Sequence, residues 1–241
     1  MGSWGTWRQR AHAATLWPPA SGVIVRMATD CTGMGVPELA LQAYGELHGV
    51  GLQMVWCCDT EPACHTFAKN NFQPQCYLAD MLDRQFQGSG FLTGTTDGRR
   101  VLVSQAEARL DLYMAGTMCT PFSPKGTRLG FANPKAKTFF QFFKTLLTLK
   151  PRCAVLENVP SILNKRNRAQ LLEWLATTKG IYSRRAFTLR SFQYQLPQHR
   201  VRVYLVFLRR DALKVPAEQA FALMQRHLKQ MQHEGLTLIH I

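Results

Sequence analysis

No run of apolar residues in this chain approaches the roughly 20 positions that a membrane-spanning helix needs. The first thirty residues also lack the continuous apolar stretch of a secretory signal. A membrane partner is therefore not expected. The seven cysteines (Cys31, Cys57, Cys58, Cys64, Cys76, Cys119 and Cys153) form an odd set without a C-x-x-C pair, which argues against both a zinc site and a disulfide framework. No metal site is expected, and the cysteine usage points to a reducing intracellular compartment. Acid is scarce as well: 15 Asp and Glu stand against 29 Lys and Arg, for a formal net charge of +14.

What is present fits one domain, since 241 residues with 46% hydrophobic side chains can bury one sizeable core. The charge is unevenly spread. Residues 1–160 hold 15 basic and 11 acidic side chains, whereas residues 161–241 hold 14 and 4, so the C-terminal third carries most of the excess. Such a surface attracts phosphate backbones by counterion release without reading sequence, which makes nucleic acid the natural partner. Residues 1–29 contain three arginines and no acid among scattered Ser and Thr, a composition shared with organellar transit peptides. A disordered arm is expected over 1–21, a catalytic domain over 22–210 and a basic helical tail over 211–241.

Along the chain, Gly22 to Ala28 reads as a buried strand, Pro37 to Tyr44 as a helix, Leu52 to Trp56 as a strand, Pro62 to Asn70 as a helix and Cys76 to Leu78 as a short strand. This βαβαβ alternation predicts a parallel sheet. Residues 83–109 are polar and interrupted by Gly88, Gly90, Gly94 and Gly98, so an exposed insertion with one short helix is expected. Strands are predicted at Asp111 to Ala115, Cys153 to Leu156, Arg184 to Leu189 and Arg202 to Leu208, with helices at Thr138 to Leu149, Ala169 to Thr177 and Pro216 to Gln232. The sum is an α/β fold, a doubly wound, mostly parallel Rossmann-like sheet, in which ligands bind beyond the carboxyl ends of the strands.

Three of those strand ends carry groups suited to an adenosine. Thr32-Gly33-Met34-Gly35 follows the first strand, where missing side chains let the backbone approach a ligand. Asp59-Thr60 follows the second, where an acid can accept from both ribose hydroxyls, and Asp80 follows the third, placed to accept from an adenine amino group. Singly, Asp59 reads equally well as a cap for the helix near Pro62, and Asp80 as a turn cap. The lack of a full G-x-G-x-x-G speaks against a pyrophosphate, and S-adenosylmethionine fits better than NAD or FAD.

Further on come Gly116-Thr117-Met118-Cys119-Thr120-Pro121-Phe122-Ser123, then Glu157-Asn158-Val159, then Pro197-Gln198-His199-Arg200-Val201-Arg202, each at a predicted strand end. In this order the chain resembles the C5-cytosine DNA methyltransferases, whose motifs read Pro-Cys-Gln with a following Phe-Ser, Glu-Asn-Val and Gln-x-Arg-x-Arg. The resemblance runs over about 180 residues, roughly 23–208. It implies S-adenosylmethionine as cofactor, met by Thr32, Gly33, Met34, Gly35, Asp59, Thr60, Asp80 and Gly116. Cys119 would then add as thiolate to C6 of a flipped-out cytosine in DNA and make C5 nucleophilic. Glu157 would contact N3 and the exocyclic amino group, Arg202 the cytosine O2, and Arg200 the loop or a phosphate.

The departures are local. A phenylalanine is usual where Cys31 stands, and Met118 and Thr120 replace the proline and glutamine beside the nucleophile. Loss of proline's fixed φ is expected to loosen the loop that aims Cys119. Residues 209–241 read as one helix where the family continues into a target-recognition region and two further motifs. Three readings stay open: a DNA methyltransferase with recognition supplied by a protein partner or by the basic region, an RNA-directed one, and an inactive nucleic-acid-binding homologue. A nuclear location follows only if the substrate is nuclear DNA.

Overall fold

The computed structural model describes residues 22–233 except 125, 127 and 195. The arm expected over 1–21 and the last residues of the tail lie outside these. Strands β1 (Ile24–Asp30), β2 (Gly51–Cys58), β3 (Cys76–Leu78), β7 (Leu112–Gly116), β8 (Cys153–Asn158), β9 (Tyr182–Arg190) and β10 (Val201–Arg209) form one seven-stranded sheet in the order β3-β2-β1-β7-β8-β10-β9. All neighbours from β3 to β8 are parallel, and β10 runs antiparallel to both β8 and β9. The doubly wound sheet expected from the alternation is present. Strand order reverses between β1 and β7, so the loops after these two strands flank the switch point where such sheets bind ligands.

Helices α1 (Val36–His48), α2 (Pro62–Asn71), α4 (Lys137–Leu149), α5 (Lys165–Thr177) and α6 (Ala217–His233) complete the layers, with a short α3 (Gln105–Ala108) ahead of β7. Apolar residues at helical spacing explain why α4 binds the sheet: Phe139, Phe142, Phe143, Leu146 and Leu149 are all buried. Phe142 stacks on Tyr113 of β7, with ring centroids 5.2 Å apart. On the opposite side, α6 seats Phe221 among Val206, Leu208 and Phe187.

Residues 83–109 are largely exposed and hold the one short helix expected of them, but they are also ordered into strands that their glycines do not suggest. They form a three-stranded antiparallel sheet of β4 (Gln85–Gln87), β5 (Gly90–Gly94) and β6 (Arg100–Ser104), with Phe91 and Arg84 buried. Gly90 is there for closeness rather than flexibility, because a Cβ on it would come within 2.6 Å of the Val103 carbonyl oxygen across the β5–β6 pair.

Arg84 runs from the base of this sheet into the main core. Its guanidinium forms a two-pronged ion pair with Asp30 at the end of β1, one arm at 2.6 Å, and donates to Thr145 Oγ1 of α4 at 2.8 Å. Trp56 Nε1 of β2 and the Tyr113 hydroxyl of β7 donate to the same carboxylate. The guanidinium also lies over the Phe91 ring, 4.6 Å from its centroid. Burial opposes the charge on Arg84, yet Asp30 outweighs it and holds the group firmly protonated. One carboxylate at the end of β1 thus ties that strand to both its neighbours, β2 and β7.

Candidate active site

The first rim of the switch point is the turn after β1. Cys31, Gly33 and Gly35 have φ of 51°, 54° and 69°, a left-handed path that lifts the chain from the strand into α1. Gly35 has a second constraint, since a Cβ there would lie 2.2 Å from the Phe72 ring. Around a Cβ on Gly33 there is open space, so the backbone at that point faces room for a ligand. Met34 is exposed. Thr32 is turned inward: its hydroxyl accepts from the Cys58 amide at 3.1 Å and lies 2.9 Å from Thr29 Oγ1.

Both acids of this rim are engaged with main chain. Asp59 Oδ2 accepts from the Gly33 amide at 2.8 Å, and its Oδ1 accepts from Glu61 N at 3.0 Å. A carboxylate offers about four lone-pair sites, so two amides leave acceptor capacity for ribose hydroxyls. Asp80 caps the turn Met81–Asp83 by accepting from Leu82 N at 2.8 Å. Of the capping roles weighed from the sequence, that of Asp80 is realised, whereas α2 starts after Glu61 without a side-chain cap and Asp59 bonds instead to the Gly33 and Glu61 amides. Thr60 lies exposed beside Asp59. Beneath the turn, burial raises the pKa of the Glu38 carboxyl, whose Oε1 accepts from the Thr29 hydroxyl.

The second rim is built by β7, β8 and β10. Gly116 and Glu157 are partners in the parallel β7–β8 register, and a Cβ on Gly116 would stand 3.7 Å from both Glu157 Oε2 and the Cys31 carbonyl oxygen. Gly116 is therefore where the two rims meet. Arg202 Nε lies 2.8 Å from Glu157 Oε1 and Arg200 Nη2 lies 3.7 Å from the same oxygen, so both arginines of the late motif converge on this glutamate. Tyr204 is opposite Glu157 in the β8–β10 register; burial, then the Glu157 charge, raise its pKa.

Cys119 follows three residues after Gly116 and is held from both sides. Asn158 Nδ2 donates to the Thr117 carbonyl at 3.2 Å and lies 3.0 Å from Thr117 Oγ1, which fastens the loop to β8. The Cys119 carbonyl accepts from Phe122 N at 3.0 Å and Ser123 N at 2.9 Å. Phe122 is buried against Phe131, and its carbonyl accepts from Ser161 Oγ at 2.6 Å. Cys119 itself is half-buried, and Thr120 is half-buried beside it. By contrast, burial pushes the thiols of Cys57 and Cys58 up, Cys57 to about 12, which makes them poor nucleophiles.

Sequence reasoning singled out Glu157 but not its neighbour Asn158, the tether of the Cys119 loop, although both belong to one motif. It also missed Asp30 and Arg84. The only signal for Arg84 was a basic residue between apolar Met81, Leu82, Phe86 and Phe91.

A mostly parallel sheet with this switch point, a glycine turn after β1 and a tethered cysteine loop after β7 has the architecture of a Rossmann-like methyltransferase. Residues 31–240 match the family model of C-5 cytosine-specific DNA methylases, and the chain belongs to that family. It is 33% identical over 106 residues to the orphan methyltransferase M.SPRI of Bacillus phage SPR, covering 43% of this chain and 24% of that protein. It is 31% identical over 103 residues to the type II methyltransferase M.HhaI of Haemophilus parahaemolyticus, covering 42% and 31%. The chain therefore aligns with less than a third of these relatives' length. In fold it is similar to the Dnmt2 methyltransferase of S. pombe, with a TM-score of 0.54 at 16% identity over 80% of this chain and 51% of that one. The Entamoeba histolytica methyltransferase EhMeth gives a TM-score of 0.56 at 14% identity over 78% and 53%.

Proposed function

We propose that this chain transfers a methyl group from S-adenosylmethionine to C5 of cytosine in DNA, with Cys119 as nucleophile. The observation that carries the reading is the second rim: a cysteine tethered through Thr117 to Asn158, one residue beyond a glutamate on which two arginines converge. Thr32, Gly33, Met34 and Gly35 with Asp59, Thr60, Asp80 and Gly116 would hold the cofactor. The residues fit it, because Gly33 borders open space and Asp59 keeps acceptor capacity. When bound, S-adenosylmethionine supplies an electrophilic methyl group.

The work of the protein is then to make C5 a nucleophile. Addition of the Cys119 sulfur to C6 pushes electrons toward N3 and O2 of the ring, and the site must stabilise that charge. Glu157 reads the N3 and amino edge that distinguishes cytosine from thymine. Arg202, with a rigid donor fork, would serve both Glu157 and O2. Arg200, more exposed, would hold the loop or a phosphate. A target inside a duplex reaches this rim only by flipping out of the stack.

The test is to incubate the protein with S-adenosylmethionine and a duplex carrying 5-fluorocytosine, whose C5 fluorine blocks the final elimination. We expect a denaturation-resistant adduct mapping to Cys119 by mass spectrometry. Cys119→Ser should give none while binding the cofactor as wild type does. An adduct on tRNA but not DNA would change the substrate, and none on either would sink the reading.

A further inference from the structure

We propose that Thr138, in the first turn of α4, is a positioning residue for the nucleophile loop, acting through the backbone N–H of Met118. This rests on reading Cys119 as the nucleophile. Proline stands at the place of Met118 in the family's motif, and proline has no N–H to give. Here the Met118 amide donates to Thr138 Oγ1 at 3.3 Å, and that hydroxyl in turn donates to the Lys135 carbonyl at 3.3 Å. The bond exists only because the residue before Cys119 is not proline.

The acceptor sits on a rigid support. Asn133 Oδ1 accepts from Lys135 N at 2.8 Å, fixing the turn that precedes α4, and Phe139, next in sequence to Thr138, is fully buried. Together with the Asn158 tether on Thr117, the bond holds two consecutive residues ahead of Cys119, one to the sheet and one to a helix. A proline would restrict φ at position 118 covalently; this chain restricts the same peptide from outside with a hydrogen bond. The Met118 side chain, exposed, contributes nothing that this anchoring needs.

The experiment is a double-mutant cycle read in two ways. Thr138→Val keeps the shape of the side chain and removes the acceptor. It should speed amide hydrogen exchange across 117–120 and slow adduct formation at saturating cofactor, each by about three- to tenfold, the worth of one ordinary hydrogen bond. Cofactor affinity should not move, and Thr138→Ser, which restores the hydroxyl, should recover both. In a Met118→Pro background, Thr138→Val should add nothing to either readout. Equal effects of Thr138→Val in both backgrounds, or none in wild type, would overturn the proposal. The exchange arm stands even if wild type forms no adduct, so failure of the functional reading is told apart from failure of this one.

Discussion

Asp59 and Asp80, at the ends of β2 and β3, accept from the amides of Gly33, Glu61 and Leu82, whereas Glu157, at the end of β8, is held by the side chains of Arg202 and Arg200. The difference is one of charge and of freedom. Amides in short turns are neutral and fixed, so hydroxyls can share Asp59 without displacing anything. A guanidinium on the partly exposed start of β10 is charged and movable, so a base that engages Glu157 must share its oxygen with Arg202. On the proposed reading, the rim that would hold the cofactor is organised in advance, and the rim that would hold the base is kept by contacts that binding can exchange.

The sharpest break in this contrast is Glu157→Gln. It should slow adduct formation by about 10²- to 10⁴-fold, the usual scale for a lost acid–base group. Stability should change by less than about 1 kcal/mol, since both partners of the Arg202 pair are a fifth to a quarter exposed. A large drop in the thermal midpoint would mean that the pair is structural.

Arg84→Met should instead harm both rims together, because it leaves Asp30 buried without its ion-pair partner, at a cost of about 3–5 kcal/mol. A lower denaturant midpoint at constant slope is the check. Gly35→Ala should act on the first rim alone. The left-handed backbone costs about 1–2 kcal/mol for a residue with Cβ, and the Phe72 ring must move aside. Cofactor affinity should fall while adduct formation at saturating cofactor is kept, and an equal loss of both would erase the distinction.

The smallest effect is expected from Glu38→Gln, followed as stability against pH. Burial raises the folded pKa of Glu38 above its ordinary 4.5, so the folded protein keeps a proton that the unfolded chain releases. Stability from this group is complete below pH 4.5 and is lost as pH climbs toward the raised value. The variant should match wild type near pH 4 and exceed it increasingly above; a gap that does not change with pH would contradict the assignment.

Much of this was legible in the chain before the fold was known. The strands and helices around Thr32, Asp59, Asp80, Cys119 and Glu157 are regular units whose periodicity sequence displays, and parallel strands buried on both faces read as apolar runs. Within 83–109 the exposure and the short helix were legible, but the strands were missed because Gly90 was taken for a breaker, while close strand approach is the other reason for glycine. Met118 was expected to loosen its loop, and only the position of Thr138, twenty residues on, shows a bond that restrains it. The convergence of Arg200 and Arg202 on Glu157 depends on β8–β10 register, which no local pattern encodes.

The Asp30–Arg84 pair bears on how such a chain can drift across generations. Either residue changed alone strands a charge in the core, while an apolar pair of similar volume in both places can be neutral or better. Two tolerated states are thus separated by an intermediate that folds poorly. A lineage holding the pair would keep it even without other advantage, and with it the segment around Arg84 that leads into β4. The small sheet beside Arg84 is thereby costly to discard, because removing it would open the core at Asp30.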